Sequence, residues 1–258
     1  RAYGGFAFDP NTRSEDAFPA AYFFIPHVEI TQHAGKTHWT INQLDDQPTT
    51  DLQTYARALA EAQPTNGQDQ PSRTPRLLDD PDAWQARVTA ALALIDSDDL
   101  SKIVLARVHE AEDEELIAPG PALAQLRSGY PSTYHIGFSP QEGHALISAT
   151  PEQLVKVKQG ELHTMALAGT MPRGKTPAED AAIATQMLAD PKEQREHAIV
   201  CDEIKNTLTP LCTHLSFENT PGIHKLPNVQ HLRTEVRGRL KTDKHILDVA
   251  AALHPTPA

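Results

Sequence analysis

The sequence predicts an α+β fold with antiparallel sheets. Short segments rich in β-branched and aromatic residues follow one another in runs, separated by turns that contain glycine or proline. Helix-like segments interrupt these runs at irregular intervals, whereas a doubly wound parallel sheet would alternate single strands with helices. The sequence contains no GxGxxG motif and no P-loop, so it does not indicate a nucleotide-binding fold.

The first part of the chain is expected to combine strands with three helices. Strands are predicted at 1–8, 22–30, 37–41, 102–108, 133–139, 145–149 and 153–159, where β-branched and aromatic residues concentrate. Helices are predicted at 52–62, 82–96 and 121–129, and Asp80 or Asp82 is the expected N-cap of the second helix. The polar, proline-bearing stretch 63–76 predicts a surface loop.

The second part of the chain continues the same mixture. Gly160 turns the chain into a strand at 161–168. Two helices are then predicted at 176–188 and 191–211, and strand patterns return at 216–223 and 228–240. A last helix is predicted at 245–253.

Composition excludes several classes of function. The 34 acidic and 23 basic residues give a net charge of −11, which disfavours a nucleic-acid groove. No apolar run approaches the roughly 20 residues of a membrane span. The two cysteines, Cys201 and Cys212, form neither a disulfide framework nor a zinc-binding spacing, as expected for a reducing compartment. We therefore expect a cytoplasmic protein, and take a monomer as the default state.

Two ionisable residues beside predicted strands are candidates for proton transfer. Lys102 opens an apolar segment, and if its side chain faces a cleft, loss of hydration favours the neutral amine that a general base requires. Glu152 follows a strand and Pro151, and a carboxyl group in a poorly hydrated pocket can act as a general acid. Each residue also has a simpler interpretation. Lys102 can be a strand lysine whose side chain reaches into water, and Glu152 can be an exposed turn glutamate.

Three further residues are candidates for ligand binding. Gly169 and Thr170 end a predicted strand, where a glycine allows a ligand to approach the backbone and a threonine hydroxyl can bond a carboxylate. His231 lies within the strand pattern of 228–240 and can donate a hydrogen bond to a ligand. An ordinary glycine-threonine turn and a histidine satisfied within the protein are the alternatives.

The helix predicted from residue 191 carries a row of carboxylates. Glu193, Glu196 and Glu203 share roughly one helix face. Glu196 can hold Mg²⁺, because this ion takes oxygen ligands and is usually shared with an anionic group of the substrate. The alternative is a solvated face on which Lys192 and Arg195 pair with these carboxylates.

Taken together and in this order, these motifs resemble those of the chorismate-utilising enzymes. The resemblance covers nearly the whole chain, and its motifs after residue 145 are specific as a set. The segments that carry the resemblance are YGGFAF at 3–8, KIVLAR at 102–107, ATPE at 149–152, LAGTMPRG at 167–174, DPKEQREH at 190–197 and HPTPA at 254–258.

The resemblance implies a fold, a reaction and a set of roles. The family fold has two large antiparallel sheets packed together with helices outside, and its active site uses Mg²⁺. The implied activity is isochorismate synthesis from chorismate, in which Lys102 activates water for attack at ring carbon 2 and Glu152 protonates the hydroxyl leaving carbon 4. Glu196 matches a magnesium ligand, and the positions that match substrate contacts are Gly169, Thr170, His231 and Ala258.

The resemblance also separates subfamilies. Family members that use ammonia carry glutamine in place of Lys102, so the lysine favours water as the nucleophile. Salicylate synthases keep the lysine, eliminate pyruvate and typically have threonine at the position of Ala258, so alanine favours isochorismate as the product. Salicylate synthesis remains the alternative activity, and the sequence does not choose between menaquinone and siderophore pathways.

Compared with the family, the chain matches one chorismate-binding domain over 1–258 that lacks segments at both ends. The missing C-terminal part of the family pattern supplies a second magnesium-binding glutamate and an arginine that pairs with a substrate carboxylate. The expectation is therefore an incomplete version of the fold that is inactive by itself. A non-catalytic chorismate-binding remnant is the alternative from a different functional class.

Overall fold

The computed structural model describes residues 1–9, 18–44, 52–61, 80–108 and 118–256. These residues form two compact units. The first unit draws on 1–68, 119–124 and 136–147, and the second on 69–118, 125–135 and 148–258. The loop predicted at 63–76 and Ala258 both lie outside the described residues.

The first unit is built from short antiparallel pairs. Strand β1 (Tyr3–Phe6) pairs with β2 (Ala21–Phe24), and β3 (Val28–His33) forms a hairpin with β4 (Lys36–Ile41). Helix α1 covers Leu52–Glu61. The single strand predicted at 22–30 is wrong, because the chain leaves the strand conformation before β3, around Pro26, whose nitrogen cannot donate to a ladder.

The middle of the chain contains two helices and a hairpin. Helix α2 spans Pro81–Asp96, and the Asp80 carboxylate caps it by accepting the Asp82 N–H at 2.9 Å, as the sequence predicts. Helix α3 covers Pro119–Gly129, and β5 (Tyr134–Gln141) pairs with β6 (His144–Thr150).

The strand predicted at 102–108 is wrong. Residues 102–108 have no regular secondary structure, and no strand of the described chain forms a ladder with them. Val104 and Val108 are exposed. An apolar, β-branched run becomes a strand only when its N–H and C=O groups find a partner strand, and sequence periodicity does not report that partner.

A five-stranded antiparallel sheet forms the frame of the second unit. Its central strands are β8 (Glu161–Pro172) and β11 (Val229–Leu240), and β7 (Lys156–Lys158) pairs with β8. Strands β9 (Cys212–Phe217) and β10 (Gly222–Lys225) pair with successive parts of β11. The single strand predicted at 216–223 is therefore wrong, since this region supplies parts of two strands. The strand predicted at 153–159 is shorter than expected, and that predicted at 161–168 extends to Pro172.

Three helices accompany this sheet: α4 (Pro177–Ala189), α5 (Pro191–Leu208) and α6 (Ile246–Leu253). Helix α5 packs on β8. Its apolar residues recur every four positions, so one stripe faces the sheet. Fully burying a side chain of this size contributes about 1.5–3 kcal/mol, which makes this contact the main core of the unit. The buried cluster comprises Leu162, Ala166, Ala168, Val200, Ile204, Leu208, Cys212, Val236, Leu240, Val249 and Leu253.

A buried carboxylate joins three elements beside this core. Asp180 on α4 accepts hydrogen bonds from Arg173 at 2.6 and 2.9 Å, from Lys225 at 2.6 Å and from the Gly174 N–H at 3.0 Å. The Arg173 hydrogen bonds, followed by that of Lys225, hold the pKa of Asp180 far below its ordinary value. The end of β8 and the start of α4 are thereby fixed relative to each other.

The α+β class with antiparallel sheets is confirmed. The strands of the described residues form the five-stranded sheet and three two-stranded sheets. Cys201 and Cys212 are both free thiols, as predicted. Among the described residues, no helix combines the length and apolar character needed to cross a bilayer.

Candidate functional site

A β-bulge in the central sheet brings Gly169, Thr170 and His231 together. On β8 and β11, Thr170 faces His231 while Ala168 faces Leu232, so Gly169 is an extra residue without a partner in the register. Gly169 has φ +78°, a conformation that glycine adopts without strain. The His231 Nδ1 atom lies 3.1 Å from the Thr170 hydroxyl and 3.2 Å from the Gly169 carbonyl oxygen.

The first turn of α5 lies against this bulge. Asp190 caps the helix by accepting the N–H groups of Lys192 at 2.8 Å and Glu193 at 3.1 Å. The Glu193 carboxylate accepts the Thr170 N–H at 3.0 Å through Oε2 and the Lys192 ammonium at 2.9 Å through Oε1. We call Gly169, Thr170, His231 and Glu193 the bulge cluster.

An open cleft of about 760 Å³ lies between the segment after α2 and the first turns of α5. Its walls include Lys102, Lys192, Arg195 and Glu196, together with apolar side chains of the 103–105 segment. The Lys102 side chain is 14% exposed, and its Nζ lies 3.6 Å from Glu196 Oε1. Lys192 Nζ lies 3.9 Å from the other oxygen of Glu196. We call this feature the lysine cleft.

His197 lies directly after Glu196 and points into the core. Its Nε2 is 2.8 Å from the Thr234 hydroxyl on β11. Burial lowers the pKa of His197, the nearby Ala168 backbone opposes this effect, and the positive charge of Lys102 lowers the pKa further. A histidine with a lowered pKa is neutral near pH 7, so His197 supports α5 on the sheet without adding a charge beside Lys102.

Glu152 lies in the segment after β6. Its backbone N–H donates to the Thr150 hydroxyl at 3.3 Å. Burial raises the pKa of the Glu152 carboxyl above its ordinary value of 4.5, and a hydrogen bond with the Thr256 side chain partly offsets this increase. A partly buried carboxyl group of this kind retains its proton to higher pH than an exposed one, which is the property that a general acid needs.

Glu196 is the magnesium ligand that the sequence predicts. No group of three or more His, Cys, Asp or Glu side chains in the described part of the chain is arranged to bind a metal. The Glu196 side chain is 34% exposed and lines the cleft, so its oxygens are accessible to a ligand. Mg²⁺ is often held by one or two carboxylates while a substrate and water supply the other oxygens. The donor chemistry therefore fits an ion shared with a bound anion.

The structure groups most of the residues that the sequence singles out. Gly169, Thr170 and His231 are in direct contact, and Lys102 pairs with Glu196. Lys192 lies near the carboxylates of both features, which places the bulge cluster and the lysine cleft side by side along the first turns of α5.

The sequence interpretation placed Glu193 and Lys192 only on a helix face of paired charges, and the observed pairs of Lys192 with Glu193 and Glu196 agree with that alternative. The helical spacing associates Glu193 with Glu196, but it does not reveal that the Glu193 side chain is only 8% exposed and bonds the bulge. Glu193 lies three residues after the N-cap Asp190, where a carboxylate commonly bonds the N–H of the N-cap residue, so the local pattern did not point to Thr170.

A family model described as chorismate binding enzyme matches residues 1–258. A salicylate biosynthesis isochorismate synthase from Pseudomonas aeruginosa is 36% identical over 176 residues, which cover 68% of this chain and 36% of that protein. A chloroplastic isochorismate synthase from Catharanthus roseus is 30% identical over 277 residues, which cover 100% of this chain and 47% of that protein.

The fold of the chain is also found in a solved structure. The menaquinone-specific isochorismate synthase MenF from Escherichia coli superposes with a TM-score of 0.83 at 23% identity, covering 99% of this chain and 58% of that one. The chain spans about half the length of the curated relatives that it matches. Since the family model matches the chain from end to end, the chain belongs to the chorismate-binding enzyme family.

Proposed function

We propose that this chain carries catalytic residues of an isochorismate synthase, which converts chorismate into isochorismate. The observation that carries the proposal is the environment of the Lys102 amine in the lysine cleft. Its Nζ is buried, has no hydrogen-bond partner among the described residues, and lies beside the Glu196 carboxylate at the cleft wall. Relatives named isochorismate synthase align with all or nearly all of the chain, which supports the same activity.

In the proposed reaction, Lys102 and Glu152 act at opposite ends of the diene. The Lys102 amine takes a proton from water as the water oxygen forms a bond to ring carbon 2. The double bonds shift and the bond between carbon 4 and its hydroxyl oxygen breaks. The proton of Glu152 passes to this oxygen, which leaves as water. Lys102 then releases its proton to solvent and Glu152 takes one up, which restores both groups. One water molecule is consumed and one is released, so the net reaction is an isomerisation.

The charge around the lysine cleft suits a substrate with two carboxylates. Although the chain carries a net charge of −11, the cleft sets the cations Lys192 and Arg195, together with the Lys102 amine, against the single anion Glu196. A locally positive wall attracts an anionic ligand and raises its concentration near the site. The bulge cluster adds the Thr170 hydroxyl and the His231 ring as polar groups that can bond the same ligand.

We also propose that Glu196 holds Mg²⁺ during turnover. When bound, the ion offsets the negative charge of the ring carboxylate. The protein contributes the accessible Glu196 oxygens. Without a metal ion, the negative charge of Glu196 is balanced by Lys102 and Lys192. We further propose that the enzyme is cytoplasmic and monomeric, and that its product serves menaquinone or siderophore synthesis.

Product analysis tests the proposal directly. Full-length protein is incubated with chorismate and Mg²⁺, and the products are separated by liquid chromatography and identified by mass spectrometry. Isochorismate without pyruvate supports the proposal, whereas salicylate with pyruvate would identify a salicylate synthase. Chorismate binding without any turnover would contradict the enzyme and favour the non-catalytic alternative.

A parallel reaction with ammonia tests the choice of nucleophile. If ammonia replaced water efficiently and aminated products accumulated, the assignment of Lys102 as the base for water would fail.

A further inference from the structure

We propose that Glu193 is a positioning residue that holds the Gly169–Thr170 bulge in the shape that presents the Thr170 hydroxyl and the His231 ring to the substrate. The identity of that substrate as chorismate rests on the proposed function. The inference about Glu193 itself rests on the hydrogen bonds and close contacts of the bulge cluster.

The contact between Glu193 and the bulge is close and enclosed. Oε2 of Glu193 accepts the Thr170 N–H at 3.0 Å, and the side chain is 8% exposed. A methyl group at Gly169 would come within 2.8 Å of the same oxygen and within 3.3 Å of the Met187 side chain. The carboxylate therefore lies directly over the extra residue of the bulge, in a space that only glycine leaves open.

The bond to Thr170 connects the sheet to the helix. Where a bulge interrupts a ladder, the regular pattern of strand–strand hydrogen bonds is locally disrupted. At Thr170 the acceptor comes from α5, whose first turn is fixed by the Asp190 cap. A hydrogen bond to an ionised carboxylate is roughly twice as strong as a neutral one, so Glu193 is a firm anchor for this N–H.

The Thr170 N–H bonds Glu193, whereas the Thr170 hydroxyl lies beside His231. The Thr170 hydroxyl lies 3.1 Å from His231 Nδ1, and the carbonyl of Gly169 lies 3.2 Å from the same nitrogen. A movement of the bulge would displace all of these groups together. A misplacement of about 1 Å in a catalytic site can cost about 100-fold in activity, so a residue that fixes the bulge can affect turnover without touching the substrate.

The test compares Glu193→Ala with Glu193→Gln in the full-length protein. The matched control is Glu203→Ala, which removes an exposed carboxylate farther along α5. Hydrogen exchange of the Thr170 amide is measured by NMR, and KM and kcat for chorismate are measured separately. Glu193→Ala should accelerate Thr170 exchange by about 10-fold or more, because the amide loses a charge-assisted bond. KM should rise by about 10- to 100-fold with a smaller loss in kcat.

Glu193→Gln retains an oxygen that can accept the Thr170 N–H but lacks the negative charge, so it should recover only part of the exchange protection and bring KM part of the way back to the wild-type value. The control should match the wild type in both measurements. If Glu193→Ala does not fold, Glu193→Gln provides the same comparison with Thr170 exchange about 5-fold faster than in the wild type.

Unchanged Thr170 exchange in a folded Glu193 variant would overturn the proposal. A shift in the Mg²⁺ dependence of thermal stability, with Thr170 exchange unchanged, would also overturn it by assigning Glu193 to the metal. The exchange measurement needs no substrate. A wild-type protein that makes no isochorismate would therefore refute the proposed function while leaving the role of Glu193 to be decided separately.

Discussion

The bulge cluster and the lysine cleft lie side by side but are held in different ways. In the bulge cluster, Thr170 and His231 are on paired strands and Glu193 bonds the backbone between the sheet and α5. In the lysine cleft, Lys102 lies on a segment without regular structure, and a single ion pair at 3.6 Å joins it to Glu196. The groups proposed to bind a ligand are thus fixed by ladder register, whereas the proposed base is held mainly by charge.

This difference in how the side chains are held suits ligand binding in the bulge cluster and proton transfer in the lysine cleft. A group that only binds benefits from a rigid frame, because each rotamer that is already fixed lowers the entropy cost of binding. A lysine that must exchange a proton depends on the charges around it, and those charges change when a ligand or metal arrives. Variants of the bulge cluster should therefore alter stability and KM, whereas loss of Lys102 from the lysine cleft should alter kcat.

Loss of Lys102 is expected to have the largest effect. Lys102→Ala should lower kcat for isochorismate formation by about 10²- to 10⁴-fold, the usual contribution of a general base. Chorismate binding should remain measurable by calorimetry, because the bulge cluster is untouched. Lys192→Ala is the matched control, since it removes a lysine that is near the same carboxylate but 79% exposed. Turnover by Lys102→Ala at the wild-type rate would remove this residue from its assigned role.

A side chain at the bulge should be the next largest perturbation. Gly169→Ala should lower the free energy of unfolding by about 3 kcal/mol, because a positive φ is combined with a close approach to the buried Glu193 carboxylate. Urea denaturation measures the change. Gly160→Ala is the control, with φ +81° but only the flexible, half-exposed end of Arg239 nearby, and should cost about 1 kcal/mol. Equal losses in the two variants would show that the bulge is not tightly enclosed.

The pH dependence of the free energy of unfolding, compared between the wild type and Glu152→Gln, should show that the Glu152 carboxyl is buried. Burial raises the pKa of Glu152 in the folded protein above 4.5, so the folded state binds this proton more tightly than the unfolded state. The free energy of unfolding of the wild type should therefore fall as pH rises from about 4.5 through the raised pKa, an effect that the glutamine variant lacks.

The stability of Glu152→Gln relative to the wild type should accordingly increase between about pH 4 and pH 7, as followed by urea denaturation. A difference independent of pH would show that Glu152 titrates like an exposed carboxylate.

The smallest effect is expected at the exposed cation between the two features. Lys192→Met should change the free energy of unfolding by no more than about 0.5 kcal/mol, because its ion pairs with Glu193 and Glu196 are solvent-screened. Thermal unfolding at low and high salt measures this change, which should shrink as salt increases. A large, salt-independent loss would instead show that Lys192 is part of the frame of the bulge cluster.

Local signals predicted many of the helices and turns of this fold. The Asp80 cap and the apolar periodicity of α2 depend on neighbouring residues, and the structure agrees with the prediction to within one residue. The strand predicted at 102–108 failed for the opposite reason, since a strand depends on a partner far along the chain. The single strand predicted at 216–223 was wrong for a similar reason, because β11 pairs with two separate segments in this region.

The candidate site shows the same division between local and long-range information. Motif order singled out Lys102, Glu152, Glu196 and the Gly169–Thr170 pair as candidates, because their chemistry follows from residue type. Gly169 and Thr170 were predicted to end a strand, but they form a bulge inside β8 whose register depends on β11.

The sequence by itself determined the α+β class, the family motifs and the residue types available for proton transfer and binding, because these follow from composition, order and short-range spacing. Only the tertiary structure decided that Glu193 holds the bulge while Glu196 faces the lysine cleft. The two carboxylates are three positions apart on one helix and have the same chemistry. Packing of α5 against β8 buries the first carboxylate and leaves the second accessible, and that contact between distant segments has no local signature.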